Sequence, residues 1–302
     1  MTITRRQLLG QAGALSALGL MPGLARAEIA LGTARLTTLS DGFLSLPANM
    51  MFEPLDAQAL APILERYDIS GERLTPPCNL TLYQDGINTV LFDVGAGPDF
   101  MPSAGMILDS LDALGLGAED ITHVVFTHAH PDHIWGLLDG FDDLTFFEAT
   151  YMMGQAEWDY WWNPETVDTI GDARAAFAVG AKRRMERIAD QVVLVGPDQE
   201  VLPGIASVAL PGHTPGHMGF ELRQGSQAAL VVGDAIANHH VAFHEPQWLS
   251  GGDQDQALAA QTRAKLMDRL TAEDLMLVGF HLPQGGIGRV RREGQGYRFV
   301  PG

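Results

Sequence analysis

The sequence predicts a layered α/β fold, a four-layer sandwich made of two halves. Three observations carry that expectation. Short Val- and Leu-rich runs alternate with helical stretches, and several strands followed by a long helix occur twice along the chain. Four of the apolar runs end directly on an imidazole or carboxylate side chain. No linker divides the chain, so one domain is expected over residues 28–302.

In chain order, "NTVLFDVG" (88–95) reads as a buried strand ending at a Gly turn, and "AGMILDSLDALG" (104–115) as a helix closed by glycine. "ITHVVFT" (121–127) and "LTFFEAT" (144–150) read as strands, and residues 165–190 as helical. In the second half "QVVLVG", "ASVALPG", "HMGFELR" and "AALVVGD" are four strands parted by Gly, Pro and Gln turns. A helix is expected over 253–271, then a last central strand in "DLMLVGF" and the tail "GYRFV".

Composition narrows the function classes. With 46% hydrophobic and 19% charged residues the chain is globular, and its formal charge of -18 excludes a polyanionic partner such as nucleic acid. The first 27 residues read as a twin-arginine signal peptide: Arg5 and Arg6, an apolar stretch from Leu8 to Leu24, then Ala25 and Ala27 at cleavage-site spacing before Glu28. Gln11, Pro22 and several glycines make that stretch too weak for a permanent membrane span. The expected address is periplasmic, reached through the twin-arginine export machinery. The plainer alternative is a cytosolic protein with a basic N-terminus. The lone Cys78 leaves no intrachain disulfide and suits the core as a small apolar residue.

The densest chemistry lies in "FTHAHPDHIWG" (126–136). Residues two apart on an extended segment point the same way, so His128 and His130 project together; Pro131 then turns the chain and Asp132 and His133 emerge elsewhere. One loop can thus serve two centres. His213 after "ASVAL", Asp234 after "LVVG" and His281 after "LVGF" repeat the arrangement at other strand ends. Such side chains are costly to bury unpaired, and imidazole nitrogens with carboxylate oxygens suit zinc, iron, manganese or cobalt.

"HAHPDH" followed by His, Asp, His resembles the H-x-H-x-D-H signature of the metallo-β-lactamase superfamily. That resemblance implies an αβ/βα sandwich and two divalent ions, with zinc preferred. His128, His130 and His213 would hold one ion, and Asp132, His133 and His281 the other, with Asp234 bridging. Asp93 would orient ligands from behind, and His217 reads as a supporting or structural residue. Two ions sharing a water bring its pKa towards neutrality, and Asp132 and Asp234 offset part of the charge, so hydrolysis by a metal-bridging hydroxide is the implied reaction. No GxSxG nucleophile elbow is present.

Departures from relatives narrow the field further. His130 stands where flavin-dependent di-iron members have Glu, and Asp234 argues against β-lactamase activity. Ala237 replaces the Tyr of bacillus-type acyl-homoserine lactonases. "EWDYWW" and the C-terminal "GFHLPQGGIGRVRREGQGYRFVP" resemble the methyl parathion hydrolase group, whose members hydrolyse phosphotriesters and whose relatives open lactones or cleave aryl esters; a homodimer is plausible on that resemblance alone. Such substrates need an apolar pocket, for which Trp135, Trp158, Trp161 and Trp162 are candidate walls, core packing being the alternative. His239, His240 and His244 are expected near the mouth, and His123 within a strand. Two other readings stay open: a glyoxalase II-like thioesterase, for which Arg289, Arg291 and Arg292 would be the carboxylate patch, and a non-catalytic metal-binding protein.

Overall fold

A computed structural model describes residues 27–302. The twin-arginine segment expected over residues 1–27 lies outside the described residues apart from Ala27. Two seven-stranded sheets stack face to face. In the first, the strands run in the order Glu28–Leu31, Ala34–Phe43, Pro77–Gln84, Thr89–Phe92, His123–Phe126, Thr150–Gly154, Val193–Val195, antiparallel through Thr89–Phe92 and parallel after it. The second runs from Glu200–Leu202 to Gly296–Pro301 in chain order, and only its strands Gln227–Val231 and Met276–Val278 pair in parallel.

The two-residue period of each strand divides the core into three layers. Val90, Phe92, Val125 and Met152 face the second sheet, meeting Phe220, Leu222, Val231 and Val278, with the Phe92 and Phe220 rings 5.4 Å apart. Their neighbours Leu91, Val124, Phe126, Tyr151 and Met153 point the other way, onto Leu111, Trp161, Ala178 and Met185 of the outer helices. Behind the second sheet, Leu230 and Leu277 pack against Leu266, Met267 and Leu270 of the helix Gln256–Ala272. The order is therefore helix, sheet, sheet, helix. That long helix starts where Asp255 accepts the backbone N–H of Leu258 at 2.9 Å. No helix among the described residues is long and apolar enough to cross a membrane.

One expected strand is misplaced. Residues 145–148 form turns after an isolated bridge of Leu144 to Leu138, and the strand is Thr150–Gly154. The run "LTFFEAT" has strand-like composition, but Phe147 is exposed, and the parallel register pairs His123 with Thr150 and Phe126 with Met153. The helical stretch 165–190 is likewise divided, into Thr166–Thr169 and Ala175–Glu186, with Gly171 at φ 94° between them.

Residues 44–76 leave the sandwich as a cap. It holds a small strand pair, Leu46–Pro47 with Arg73–Leu74, and the helices Ala48–Phe52 and Ala57–Arg66. Leu60 and Ile63 anchor it on Val241, with Phe52, Tyr67 and Trp248 packed alongside.

Asp41 ties the first sheet to the loops beside the site. Its buried carboxylate accepts from the backbone N–H groups of Ala96, Gly105 and Ile107 at 2.8, 3.1 and 2.8 Å. Gly95, at φ 77°, lies so close that a Cβ there would sit 2.6 Å from that carboxyl. Burial outweighs the hydrogen bonds and pushes the Asp41 pKa up to about 6. A carboxyl raised in the folded state contributes stability that is fully present below its unfolded pKa and is lost as pH rises through the folded value. Asp41→Asn turns an NH2 towards a backbone N–H that an oxygen now accepts and should be less stable than wild type, and the linkage shrinks that margin by about 1 kcal/mol between about pH 5 and about pH 8. Urea denaturation at both pH values checks this; a constant margin would contradict it.

Candidate metal centre

The seven predicted ligands meet at one edge of the sandwich, where strands of both sheets end. His128 and His130 follow the strand His123–Phe126, and Asp132 and His133 sit on the short helix Pro131–Ile134. His213 follows Ile205–Ala209, Asp234 follows Gln227–Val231, and His281 follows Met276–Val278. They form two groups with metal-ligand spacing, His128–His130–His213 and Asp132–His133–Asp234–His281. All seven are buried.

Asp234 lies between the groups. Its Oδ2 is 3.4 Å from His213 Nε2 of the first and 3.3 Å from His281 Nε2 of the second, and its Oδ1 is 3.3 Å from His133 Nε2. Asp132 Oδ2 is 3.2 Å from His281 Nε2. In the first group His130 Nδ1 sits 3.1 Å from His128 Nε2 and 2.9 Å from His213 Nε2.

Outer partners decide which nitrogen each ring presents. His128 Nδ1 turns to Thr127 Oγ1 at 3.1 Å, His133 Nδ1 donates to Asp93 Oδ2 at 2.8 Å, and His213 Nδ1 donates to Asp253 Oδ1 at 3.0 Å. His281 Nδ1 donates to the Pro77 carbonyl at 2.8 Å. Each leaves Nε2 for the centre. Asp93 holds this geometry at φ 63° and also accepts from Thr127 N and Oγ1, at 2.7 and 2.8 Å. His217 supports Asp234 from behind: its Nε2 accepts the Asp234 backbone N–H at 3.0 Å. The close approach needs Gly233 at φ 50°, where a Cβ would stand 2.7 Å from His217 Nε2.

Electrostatics separate the groups. Burial and the neighbouring imidazoles hold His128 and His130 well below the usual histidine pKa, so they stay neutral with lone pairs available. Burial also pushes His217 down to about 3. For Asp132 and Asp234 burial favours the acid, but His133 and His281 beside them hold both carboxyls below the usual range. Those two histidines are raised: burial opposes their charge, and the facing carboxylates outweigh it.

The residues present fit two cations. Asp132 Oδ2, His133 Nε2 and Asp234 Oδ1 are buried and make no hydrogen bond. Three such atoms converging would be costly without a positive partner. His130 Nδ1 meets two imidazole nitrogens, at 2.9 and 3.1 Å, and a single proton there serves one of them, whereas a cation takes the lone pairs of all three. The donor set, three nitrogens on one side and two nitrogens with carboxylates on the other, suits first-row transition ions.

Several supports carry no sequence signal of their own. Asp253 bridges His213 to Arg263, whose Nη1 is 3.2 Å from Asp253 Oδ2. In the sequence it reads only as the start of a helix. Asp253→Ala strips the partner from His213 Nδ1 and leaves a buried guanidinium unpaired; metal affinity should fall by about 10- to 100-fold. Competition with a chromophoric chelator measures it, and unchanged affinity would remove Asp253 from the centre. Glu157, from "EWDYWW", is fully buried and accepts from Ala129 N, Trp161 Nε1, Thr214 Oγ1 and Gly216 N at 2.6–3.0 Å. It binds the loop of His128 and His130 to that of His213.

A cavity of about 260 Å³ opens over the ligands. Cap residues Leu44, Leu46, Met50, Met51, Phe52 and Ile69 form one wall, and Phe100 and Phe177 the other. The four tryptophans expected there are elsewhere, which corrects that expectation. Trp158 stacks on Trp162 with ring centres 5.1 Å apart, and Trp161 is buried with its indole N–H on Glu157. Their helix, Gln155–Trp162, turns its aromatic face into the layer between the first sheet and the helix Ala175–Glu186. Trp135 is held between Phe100, at 5.5 Å, and the Arg184 guanidinium, at 4.5 Å. His239 and His240 do line the cavity; His244 lies behind them against Tyr67, and His123 is half-buried beside Thr122.

The comparisons with known proteins agree with this geometry. The sequence model of the family described as the metallo-beta-lactamase superfamily matches residues 74–281. A metallo-beta-lactamase domain-containing protein 1 of Xenopus laevis is 29% identical over 197 residues, covering 65% of this chain and 70% of that protein. A probable metallo-hydrolase of Mycobacterium tuberculosis is 25% identical over 246 residues, covering 68% and 74%. Among solved structures, AidC, described as a dizinc quorum-quenching lactonase, superposes with a TM-score of 0.86 at 24% identity, covering 92% of this chain and 98% of its own. A hydrolase AbOPH of the beta lactamase superfamily gives 0.83 at 25% identity, covering 92% and 97%. A two-sheet αβ/βα sandwich, two ligand groups joined by Asp234 and a family match over most of the chain have one reading: this protein is a member of the metallo-β-lactamase superfamily, with a dinuclear metal site.

Proposed function

We propose that the protein is a dinuclear metal-dependent hydrolase of small neutral ester-type substrates, lactones foremost, with aryl esters and organophosphate triesters of the methyl parathion hydrolase kind as further candidates. The observation that carries this reading is the mismatch between centre and wall: buried ionisable ligands open onto a cavity whose sides are Leu, Met and Phe. Such a wall favours uncharged substrates. Among its lining residues Arg174 is the one Lys or Arg, and its Nη2 already bonds the Gly251 and Gly252 carbonyls. The lactonase description of a similar structure supports the same substrate class.

His128, His130 and His213 would hold one ion, Asp132, His133 and His281 the other, with Asp234 shared. Zinc is the ion we propose, on the nitrogen and carboxylate donor set and the dizinc description of that similar structure. When bound, the pair supplies Lewis-acid polarisation of the substrate oxygen and acidification of solvent water. The chain's part is positional. Asp93, Asp253 and His217 fix the ligand orientations, Asp132 and Asp234 balance charge, and the cap and Phe177 keep bulk water from the reacting bond. Export through the twin-arginine pathway to the periplasm belongs to this proposal.

A thioesterase reading is less favoured. Arg289, Arg291 and Arg292 lie on the strand Ile287–Glu293, where they pair with Asp274 and Asp268, and none lines the cavity. The test is side-by-side assay of metal-analysed protein on acyl lactones, aryl acetates, paraoxon-type triesters and glutathione thioesters. Lactone hydrolysis that a chelator abolishes and added zinc restores is the expected result; hydrolysis of the thioester alone would overturn the proposal.

A further inference from the structure

The loop that carries His281 is held by one side chain of the opposite sheet. Of the strand Pro77–Gln84, only residues 81–84 pair with Thr89–Phe92, so residues 77–79 run on past that neighbour and meet a loop of the second sheet. That loop, residues 279–286, is closed at its neck: Gly279 N donates to the Gly286 carbonyl and Gly286 N to the Pro283 carbonyl, both at 3.0 Å. Asn79 donates three hydrogen bonds to the carbonyls of the residues on either side of His281. Its backbone N–H and its Nδ2 reach Phe280 O at 2.9 and 2.8 Å, and Nδ2 also reaches Leu282 O at 2.8 Å. Two residues earlier, the Pro77 carbonyl accepts from His281 Nδ1.

The NH2 is the part of the Asn79 amide that this position uses. The side chain is buried, and its Oδ1 has no hydrogen-bond partner. An orphaned buried acceptor is costly, and an apolar side chain would avoid it. Two carbonyls around one nitrogen fix which end of the amide enters the loop. Gly286, at φ 77°, makes the room: a Cβ there would lie 2.1 Å from the Gly279 carbonyl oxygen and 3.2 Å from Asn79 Nδ2.

Phe280 carries the contact to a second ligand. Its ring centre is 3.9 Å from that of His133 and 4.9 Å from that of His281. Both histidines belong to the group Asp132–His133–Asp234–His281. The side-chain bonds of Asn79 go to residues 280 and 282, and not to the segments that carry His128, His130 and His213.

We propose that Asn79 is a positioning residue for one of the two ions. By holding Phe280 and Leu282 it sets the His281 and His133 rings, so the ion of Asp132, His133 and His281 depends on it and the ion of His128, His130 and His213 does not. This rests on the proposed partition of the seven ligands and goes beyond it, because a residue that ligates neither ion separates the two.

The test is release of cobalt from the full chain loaded with two Co2+ ions, titrated with a chelator and followed by visible absorption, which differs between the two donor sets. His130→Ala and His281→Ala assign the signals: each should remove a different one, which tests the partition on its own. In Asn79→Ala the ion missing from His281→Ala should bind about 10- to 100-fold more weakly, while the other shifts by less than about threefold. Asn79→Asp keeps the shape but offers an oxygen where two carbonyls need a donor, and should not restore the loss. Asn79→Ser replaces the Ala variant if that one fails to fold. Leu270→Ala, in the core behind the second sheet, reports a general loss of stability and should leave both ions in place. Equal weakening of both ions in Asn79→Ala, no weakening of the one missing from His281→Ala, or the same selective loss in Leu270→Ala would each overturn the assignment. Loss of one and the same signal in His130→Ala and His281→Ala would break the partition, and the proposal with it.

Discussion

Asp234→Ala is expected to lower kcat/KM by about three orders of magnitude and to reduce bound metal below two ions per chain. The carboxylate touches both ligand groups, with oxygens 3.3–3.4 Å from His133, His213 and His281. No neighbouring side chain can replace it, because the backbone there is already committed: the Asp234 N–H is held by His217 and Gly233 is forced to positive φ. Removing it also takes away one of the two carboxylates that face both His133 and His281, leaving Asp132. Asp234→Asn keeps the shape and one acceptor oxygen but not the charge, and should fall between. Elemental analysis beside turnover decides the matter; wild-type metal content with wild-type rates in the Ala variant would refute the shared-ligand role.

The largest loss of stability is expected from Glu157→Ala. Four donors lose their acceptor at once, two backbone N–H groups, an indole and a hydroxyl, all buried. At about 1 kcal/mol or more for each unsatisfied group, the cost is about 4 kcal/mol, a large fraction of a typical domain's stability. Burial raises the Glu157 pKa above the usual carboxylate value, and these hydrogen bonds oppose it. Glu157→Gln keeps one acceptor oxygen and turns an NH2 towards the other donors, so it should recover only part of the loss. Denaturant midpoints measured with and without chelator check this. If the Ala variant lost metal but kept its metal-free stability, Glu157 would be tuning the centre and not holding the loops together.

Metal ligation was readable because the ligands stand in the short segments that follow four apolar strands. A His or Asp in that position has few structural explanations, and the strand ends of both sheets point at the same edge. The layered fold was readable for a related reason: alternation within "VLF" and "HVVF" sends Val90, Phe92 and Val125 between the sheets and Leu91 and Val124 outward, a consequence of the two-residue period. Where composition and partnering disagreed, composition misled. "LTFFEAT" has strand residues and forms turns, since the register of a parallel strand is set by its neighbour across the ladder.

What this sequence determines by itself is the centre: seven ligands of the right type, at the ends of the right runs, together with the two-sheet sandwich that carries them. Tertiary structure alone decided what surrounds it. The aromatic helix of Trp158, Trp161 and Trp162 turned to the core while Phe100, Phe177 and the cap built the cavity, and Asp253, Glu157 and His240 acquired their partners from segments tens of residues away. Ligand chemistry is a property of side chains and local period. Orientation of a helix face and the pairing of a lone carboxylate depend on which distant surface arrives opposite, and that is settled only when the layers pack.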